Sequence, residues 1–592
     1  MGQAPGSATW AGDQGVEMLN TSLPRSAARP GMPHARVILA ASLGTGFEWY
    51  DFFLYGSLAA IISRQFFAGV NETTGFIFAL MTFAAGFAVR PFGALVFGRL
   101  GDLVGRKKTF LATIIIMGTA TTLVGVLPNY QSIGIAAPIM LIGLRMLQGL
   151  AIGGEYGGAV TYVAEHAPSA LRGRYTSWIQ TTATLALLLS LLVILGCRAL
   201  LGSAFDSWGW RVPFLLSVAL LAVSVYIRLQ LTESPVFQQM VAEGSASRAP
   251  LRDAFSDSRN VKRMLSVLLG ATAGMNVIWY GGQLYALYFL TQVLKLEPQT
   301  ANLLLAVTLV IGAPLYLLFG RLSDRFGRKT FIMLGMALAA TTYFPVYRAI
   351  THFANPAIES ASQRAPVQVR AAPGDCSLQF DPIGRQRFIK SCDIAKGALA
   401  RAGVPYSTER SATGSIAVVR IGGAAHGAVE VPAFEGASLS TARFREESAE
   451  FSVRLQRALV AAGYPAKADP AAINYPLLLL LLLLLMLYVT LVTAPMAAWL
   501  VELFPARIRY TSLSVSYHIG AGWFGGFMPA VAFTLVAITG DIYSGLWYPV
   551  IVAAITAVAG VCLLPETAGS RALPDEVASP PRRTPETGHK AQ

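Results

Sequence analysis

Charge is what this chain has least of. Only 13% of its 592 residues are Asp, Glu, Lys or Arg, against 54% hydrophobic, and the mean hydropathy is +0.52. Too few polar groups remain to cover soluble domains of that total size, so lipid must serve as part of the solvent. Cysteine is also scarce, four in all, and no spacing would hold a metal. No nucleophile motif is present, so the sequence points to neither an enzyme nor a bound cofactor. The formal net charge of +14 comes without a basic stripe interleaved with aromatics on a soluble module, which argues against nucleic acid as a partner.

What the chain has instead is apolar runs of about 20 residues, long enough to cross a ~30 Å hydrocarbon layer as helices. They fall near residues 37–63, 74–97, 109–127, 136–163, 176–200 and 212–231, then 264–291, 301–319, 330–350, 476–500, 512–539 and 546–564. The expected fold is therefore an all-α membrane protein of twelve transmembrane helices in two six-helix halves. A small extracytoplasmic α+β insert is expected between helices 9 and 10. The corresponding divisions are a disordered N-terminus (1–36), a first half (37–231), a central loop (232–263), helices 7–9 (264–350), the insert (352–475), helices 10–12 (476–564) and a disordered tail (565–592). The first run is too long for a cleaved signal segment.

Positive charge fixes the orientation, because Lys and Arg of short loops stay on the cytoplasmic side. Arg99, Arg106, Lys107, Lys108, Arg172, Arg174, Arg248, Arg252, Lys262 and Arg263 all fall in alternate loops, which predicts that both termini are cytoplasmic. Two of these loops repeat: "GRLGDLVGRKK" at 98–108 returns as "GRLSDRFGRK" at 320–329, each between the second and third span of its half, as an internal repeat requires. Gly98 and Gly105 permit close approach and a sharp turn, while Asp102 is placed to pair with Arg106 or to cap a neighbouring helix N-terminus. With Lys107, and with Gly320, Asp324, Gly327, Arg328 and Lys329 in the second copy, the cluster reads as a cytoplasmic latch that forms in one access state and breaks in the other, in preference to charges that only fix topology.

Twelve spans with this pattern after spans two and eight resemble the major facilitator superfamily. "GTGFEWYDFFLYG" (44–56), "FAVRPFGALVFGRLGD" (87–102), "RMLQGLAIGGEYGGA" (145–159), "TESPVF" (232–237) and "ELFPARIRYTS" (502–512) narrow the resemblance to the metabolite:proton symporter family, which carries α-ketoglutarate, citrate, dicarboxylates, shikimate, proline or betaine. The resemblance implies an inner-membrane transporter with a small-molecule substrate and protons as partners. It does not choose the substrate. Where that family commonly has Asn after Tyr in span eleven, this chain has His518.

Ionisable groups inside lipid are functional candidates in their own right, since an unpaired charge there costs several kcal/mol. Glu48 and Asp51, with Tyr55 one turn on, share a helix face, and two neighbouring carboxylates hold one proton more tightly. They read as a proton carrier or as structural ion partners of Arg90 or Arg145. Neither arginine can lose its proton, so each must face a carboxylate, backbone carbonyls or an anionic ligand. Glu155 lies in a run of five glycines that permits close helix packing and reads as a third proton-coupling candidate or as a structural partner of an arginine. Asn276, Tyr280 and Gln283 of span seven read as one face that selects substrate, and His518 as a titratable group or a packing residue.

Between spans nine and ten, "DIAKGALARAGVP" (393–405) and "FSVRLQRALVAAGYP" (451–465) read as amphipathic helices ending at glycine, and "SIAVVRIG" (415–422) as a strand. On an oxidising side Cys376 and Cys392 can form a disulfide, worth roughly 3 kcal/mol in the entropic model. The insert reads as a passive insertion, a lid, or a dock for an unknown extracytoplasmic partner. The sequence thus indicates a proton symporter of a small organic acid. A symporter of a zwitterion such as proline or betaine, and a transporter-like sensor with a ligand-binding insert, are the alternatives.

Overall fold

The computed structural model describes residues 46–230 and 250–568, apart from positions 47, 48, 52, 69, 71, 105, 373, 375, 378–388, 413, 414, 423–426 and 505–508. Lipid leaves backbone groups no partner but the chain itself, so a spanning segment must close its hydrogen bonds internally. The apolar runs accordingly fold as helices: α1 (Ala59–Phe66), α2 (Thr74–Phe97), α3 (Leu111–Val126), α4 (Ala136–Thr161), α5 (Arg172–Leu201), α6 (Arg211–Tyr226), α7 (Ser258–Val293), α8 (Pro298–Phe326), α9 (Arg328–Ala354), α10 (Tyr475–Leu503), α11 (Arg509–Thr539) and α12 (Ser544–Leu563). Among the described residues nine of these are long and apolar enough to cross a membrane; α3 and α6 are apolar but shorter.

Two helix pairs join the halves. Helix α5 packs along α8, and α11 packs along α2. Moving six helices down the chain converts one pair into the other, so the internal repeat seen in the two hairpins is also a repeat of packing. Within the first half, α4 lies so close to α2 that glycine is required. A Cβ on Gly149 would overlap the carbonyl of Gly86, one on Gly153 that of Arg90, and one on Gly93 that of Leu150. Because the obstacle in each case is backbone, the helices could accommodate a side chain only by separating. Gly149→Val is therefore expected to cost about 3 kcal/mol, the upper end of overpacking effects, seen as lost yield of folded protein and a lower melting point in detergent. Gly196→Ala, with open space around it, should be silent in both.

Helix α7 is not a uniform helix. π-helical turns at Leu268–Thr272, Gly281–Tyr285 and Phe289–Val293 each add a residue to a turn and rotate the helix beyond it. Another lies in α11 at Gly520–Gly525.

Residues between α9 and α10 form a separate α+β unit. Its sheet comprises β1 (Val367–Ala371), β2 (Tyr406–Arg410), β3 (Val418–Ile421) and β4 (Val429–Pro432) in the order β2-β1-β3-β4. β1 and β2 are parallel, joined through a crossover that contains the helix Ser391–Ala402; β3 is antiparallel to both β1 and β4. The strands alternate, so Val367, Val369 and Ala371 point inward with Val419 and Ile421. They meet Leu399 of the first helix and Phe451 and Leu455 of the helix Thr441–Ala461. Cys376 and Cys392 are bonded, with Cα atoms 5.1 Å apart. Burial holds the neighbouring Asp393 carboxyl above its ordinary value, although Ser377 N–H donates to it at 2.8 Å.

This unit is seated on the bundle. Gly540 O accepts from Tyr406 N–H (3.0 Å), Ala537 O from the Tyr406 hydroxyl (2.6 Å), and Lys295 O from Ala468 N–H (3.0 Å). Its helix Ser391–Ala402 packs against both α2 and α11, and Gly403, at φ +67°, ends that helix where a Cβ would strike the Val293 carbonyl. The unit thus covers the end of the bundle opposite the 320–329 hairpin and touches both halves.

Candidate functional site

Buried polar groups in an apolar interior must find one another, and in the first half they form a chain from α4 through α3 to Asp51, which precedes α1. The Arg145 guanidinium on α4 donates to Gln148 Oε1 at 2.6 Å. The Gln148 amide donates to the Thr121 hydroxyl on α3, and Thr121 faces the Asp51 carboxyl. Arg145, Gln148 and Thr121 are fully buried and Asp51 is 6% exposed. One carboxylate oxygen of Asp51 has no hydrogen-bond partner among the described residues. The Arg145 guanidinium also lies 4.3 Å over the Tyr55 ring, whose hydroxyl donates to Ala79 O at 3.1 Å. Asp51, Tyr55 and Arg145 are thus brought together, while Glu48 lies outside the described residues.

Gln148 and Thr121 were not among the candidates read from the sequence. Gln148 carried a usable signal, an amide one helical turn after an intramembrane arginine. Thr121 carried none, since threonine is common in apolar helices, where its hydroxyl can bond a carbonyl of its own helix, as here with Met117 O at 3.0 Å.

Arg90 sits where the halves meet. Its guanidinium lies 3.6 Å over the Phe87 ring and 4.8 Å over Trp49. Pro91 has no N–H for the carbonyl of Phe87, and the Trp523 indole of α11 donates to the next carbonyl, Ala88 O, at 3.2 Å. From here aromatic rings run across the interface: Phe87 meets Tyr280 edge-on at 5.4 Å, Tyr280 adjoins Trp279, and Trp279 stacks on Phe53 at 5.0 Å. The Tyr288 hydroxyl of α7 donates to Gly56 O at 2.7 Å, a second cross-half tie. The two guanidiniums can hold a carboxylate through charged hydrogen bonds, and the further rings of Tyr280, Trp279 and Phe53 can face a methylated ammonium.

Glu155 is buried at an irregular turn between Gly153 and Tyr156. Tyr156 stacks on Tyr517 of α11 with centroids 3.6 Å apart and accepts from the Gln180 amide at 2.8 Å. His518, fully buried, lies edge-on to Tyr517 and Tyr156, and neither ring nitrogen has a hydrogen-bond partner among the described residues. The expected single face of α7 is divided. Asn276 and Tyr280 pack against Gly525 of α11, whereas the Gln283 amide contacts Met486 Sδ of α10 at 3.8 Å. The π turn beginning at Gly281 supplies the rotation.

The second hairpin carries a dense charge cluster. Asp324 accepts from Gly173 N–H (2.8 Å) and Arg174 N–H (3.0 Å) at the start of α5, across the halves, and pairs with Arg328 at 3.2 Å. Arg328 in turn binds Glu502 at 2.7 and 2.8 Å, with Arg172 3.6 Å from the same carboxylate. Glu566 accepts from the N–H groups of Arg328 and Lys329, both at 2.9 Å, and packs against Gly327, whose φ is +104°. A Cβ on Gly320 would press into Ser177 of α5. In the first copy the backbone is helical from Arg90 to Val104 and again from Arg106; Gly105 and the side chains of Asp102, Arg106 and Lys107 lie outside the described residues. Among the described residues no cluster of His, Cys, Asp and Glu could hold a metal.

Comparison with known proteins agrees with this architecture. Residues 37–279 match the family model described as sugar (and other) transporter. The proline/betaine transporter of Escherichia coli K12 is 36% identical over 321 residues, which cover 53% of this chain and 64% of that protein. A putative metabolite transport protein of Haemophilus influenzae is 37% identical over 311 residues, 50% of this chain and 69% of that one. Among solved structures, a partially occluded inward open conformation of the xylose transporter XylE from E. coli superposes with a TM-score of 0.55 at 15% identity, covering 91% of this chain and 99% of that one; at that identity the likeness concerns the fold alone. On the extent of these relatives, the chain belongs to the major facilitator superfamily.

Proposed function

We propose that the protein is a proton-coupled secondary transporter of a small zwitterion of the proline or betaine class, working by alternating access between two six-helix halves. The observation that carries this reading is the buried junction of the halves, where Arg90 and Arg145 lie over the rings of Phe87, Trp49 and Tyr55. Arginine favours the carboxylate end of such a substrate, and the further rings of Tyr280, Trp279 and Phe53 favour its alkylated ammonium end. The proline/betaine transporters among its relatives support the same class. In this reading Asp51, with Glu48 and Glu155, handles the proton; Arg90 and Arg145 balance charge and hold carboxylate; and Asn276, Tyr280, Gln283 and His518 shape selectivity. Asp324 and the cluster around it gate the cytoplasmic end of a twelve-helix bundle in the inner membrane, and the insert faces the other side.

The two arginines favour one rival, a plain organic acid. Purified protein in liposomes with an inward proton gradient separates the two. The expected result is uptake of glycine betaine or proline that a protonophore abolishes. Gradient-driven uptake of α-ketoglutarate or citrate with neither zwitterion moving assigns the organic acid instead, and no uptake of any of the four, with correctly oriented protein, overturns the transport reading.

A further inference from the structure

Where the insert meets the bundle there is a cavity of about 550 Å³, inside the range of about 300–1,000 Å³ typical of small-molecule sites. Its walls come from three parts of the chain: Ala68 and Val70 between α1 and α2, Lys295 between α7 and α8, and the two long helices of the insert. Ile394, Phe444, Leu455 and Leu459 make an apolar floor. The charges are of one sign, with Lys295, Arg401 and Arg445 in the lining and no acidic side chain among the described lining residues.

The polar part of the wall is assembled by specific contacts. Lys295 is the only described non-glycine residue with positive φ (60°), a conformation that a Cβ disfavours. Its carbonyl is held by Ala468 N–H at 3.0 Å, and its ammonium donates to the carbonyl of Arg401 at the C-terminus of the helix Ser391–Ala402, where cations are favoured. The Arg401 guanidinium donates to Ser452 Oγ at 3.3 Å. Ser448, Ser452 and Gln456, at successive turns of one helix, line the same wall. On that helix Arg443 is paired with Glu446 at 2.8 Å and Glu447 at 3.2 Å, whereas Arg445, at the cavity, makes no ion pair among the described residues.

We infer that this cavity is a binding site for a small organic carboxylate with an apolar body, separate from the site at Arg90 and Arg145. Arg445 and the neighbouring cations take the carboxylate, since a guanidinium matches its geometry; the hydroxyl and amide row orients it, and the floor takes the hydrocarbon. A ligand there touches both halves and the insert at once. The inference stands independently of what the bundle transports.

The test uses the full chain in nanodiscs of neutral phosphatidylcholine, titrated calorimetrically with hexanoate and with its uncharged counterpart hexanamide. Hexanoate should bind at least about tenfold more tightly than hexanamide, the charged hydrogen bonds being the difference. Arg445→Glu, which reverses an exposed charge, and Ala449→Trp, which fills the mouth from an exposed helix position, should each weaken hexanoate by about tenfold or more without changing the melting temperature. Equal binding of the two compounds, no measurable hexanoate binding, or hexanoate affinity unchanged in both variants overturns the assignment.

Discussion

Asp51→Asn is expected to uncouple the protein: gradient-driven accumulation should vanish while substrate exchange across the membrane persists. Asn keeps the size of the side chain and a polar group facing the Thr121 hydroxyl, but it cannot release or take up a proton. A one-to-one symporter under an imposed difference of about two pH units can concentrate its substrate about 100-fold, each unit being worth about 1.4 kcal/mol. In the variant the ratio should fall to about one. Exchange needs only a site that loads and reorients, so counterflow of labelled glycine betaine against unlabelled should remain within a few-fold of the parent. The pair of measurements separates two roles of the same residue. If Asp51 merely neutralises Arg145 through Gln148 and Thr121, removing its charge leaves a buried cation uncompensated. Exchange and thermal stability would then fall together with accumulation. Accumulation that keeps its pH dependence in the variant would remove Asp51 from the coupling step altogether.

How much of this was legible beforehand depends on the range of the interaction. Helix positions follow from runs of apolar residues, a local property. The repeat follows from two similar hairpins, and the capacity of α4 for close packing from the glycines along it, although not that α2 is the helix it approaches. The insert's helix ends were legible for the same reason: Gly403 and Gly463 both adopt positive φ, and a helix followed by glycine reads as a stop. Partners distant in sequence were not legible. Glu502 and Glu566 complete the cluster around Arg328 from 174 and 238 positions away, and nothing local marks either as its ligand. The π turns of α7 were invisible for another reason. A face drawn at 3.6 residues per turn unites Asn276, Tyr280 and Gln283, and one inserted residue per wide turn sends Gln283 toward α10 instead.

The insert's placement also bears on how the bundle moves. Being spliced between α9 and α10, it belongs covalently to the second half, and its hydrogen bonds to Gly540 and Lys295 stay within that half. Its helix Ser391–Ala402 nevertheless rests on α2 of the first half. Any motion that parts the halves at this end must slide or break that contact. Packing of this kind has few stable arrangements, which favours two discrete positions over a continuum.

At the opposite end the largest expected effect on that motion comes from Asp324→Ala. The two N–H groups of Gly173 and Arg174 are orphan donors at the start of α5, and the Asp324 carboxylate from the other half accepts from both. It also places a negative charge at a helix N-terminus, where the dipole favours it. Losing such a cap costs about 1–2 kcal/mol, so the population open at this end should rise by about 5- to 30-fold. Ser177, buried and pressed against Gly320, is a reporter inside the closed contact. In a background lacking Cys197 and Cys562, Ser177→Cys should react slowly with a membrane-impermeant maleimide, and faster by that factor once Asp324→Ala is added. Arg328→Met supplies the contrast, because its ion pairs with Asp324 and Glu502 lie within the second half. That variant should lower thermal stability, since it removes the buried cation shared by two buried carboxylates, while changing the labelling rate less than Asp324→Ala does. A labelling rate indifferent to Asp324→Ala would mean that the Asp324 cap does not hold this end, and that the packing of α5 on α8 and the Arg172–Glu502 pair hold it instead.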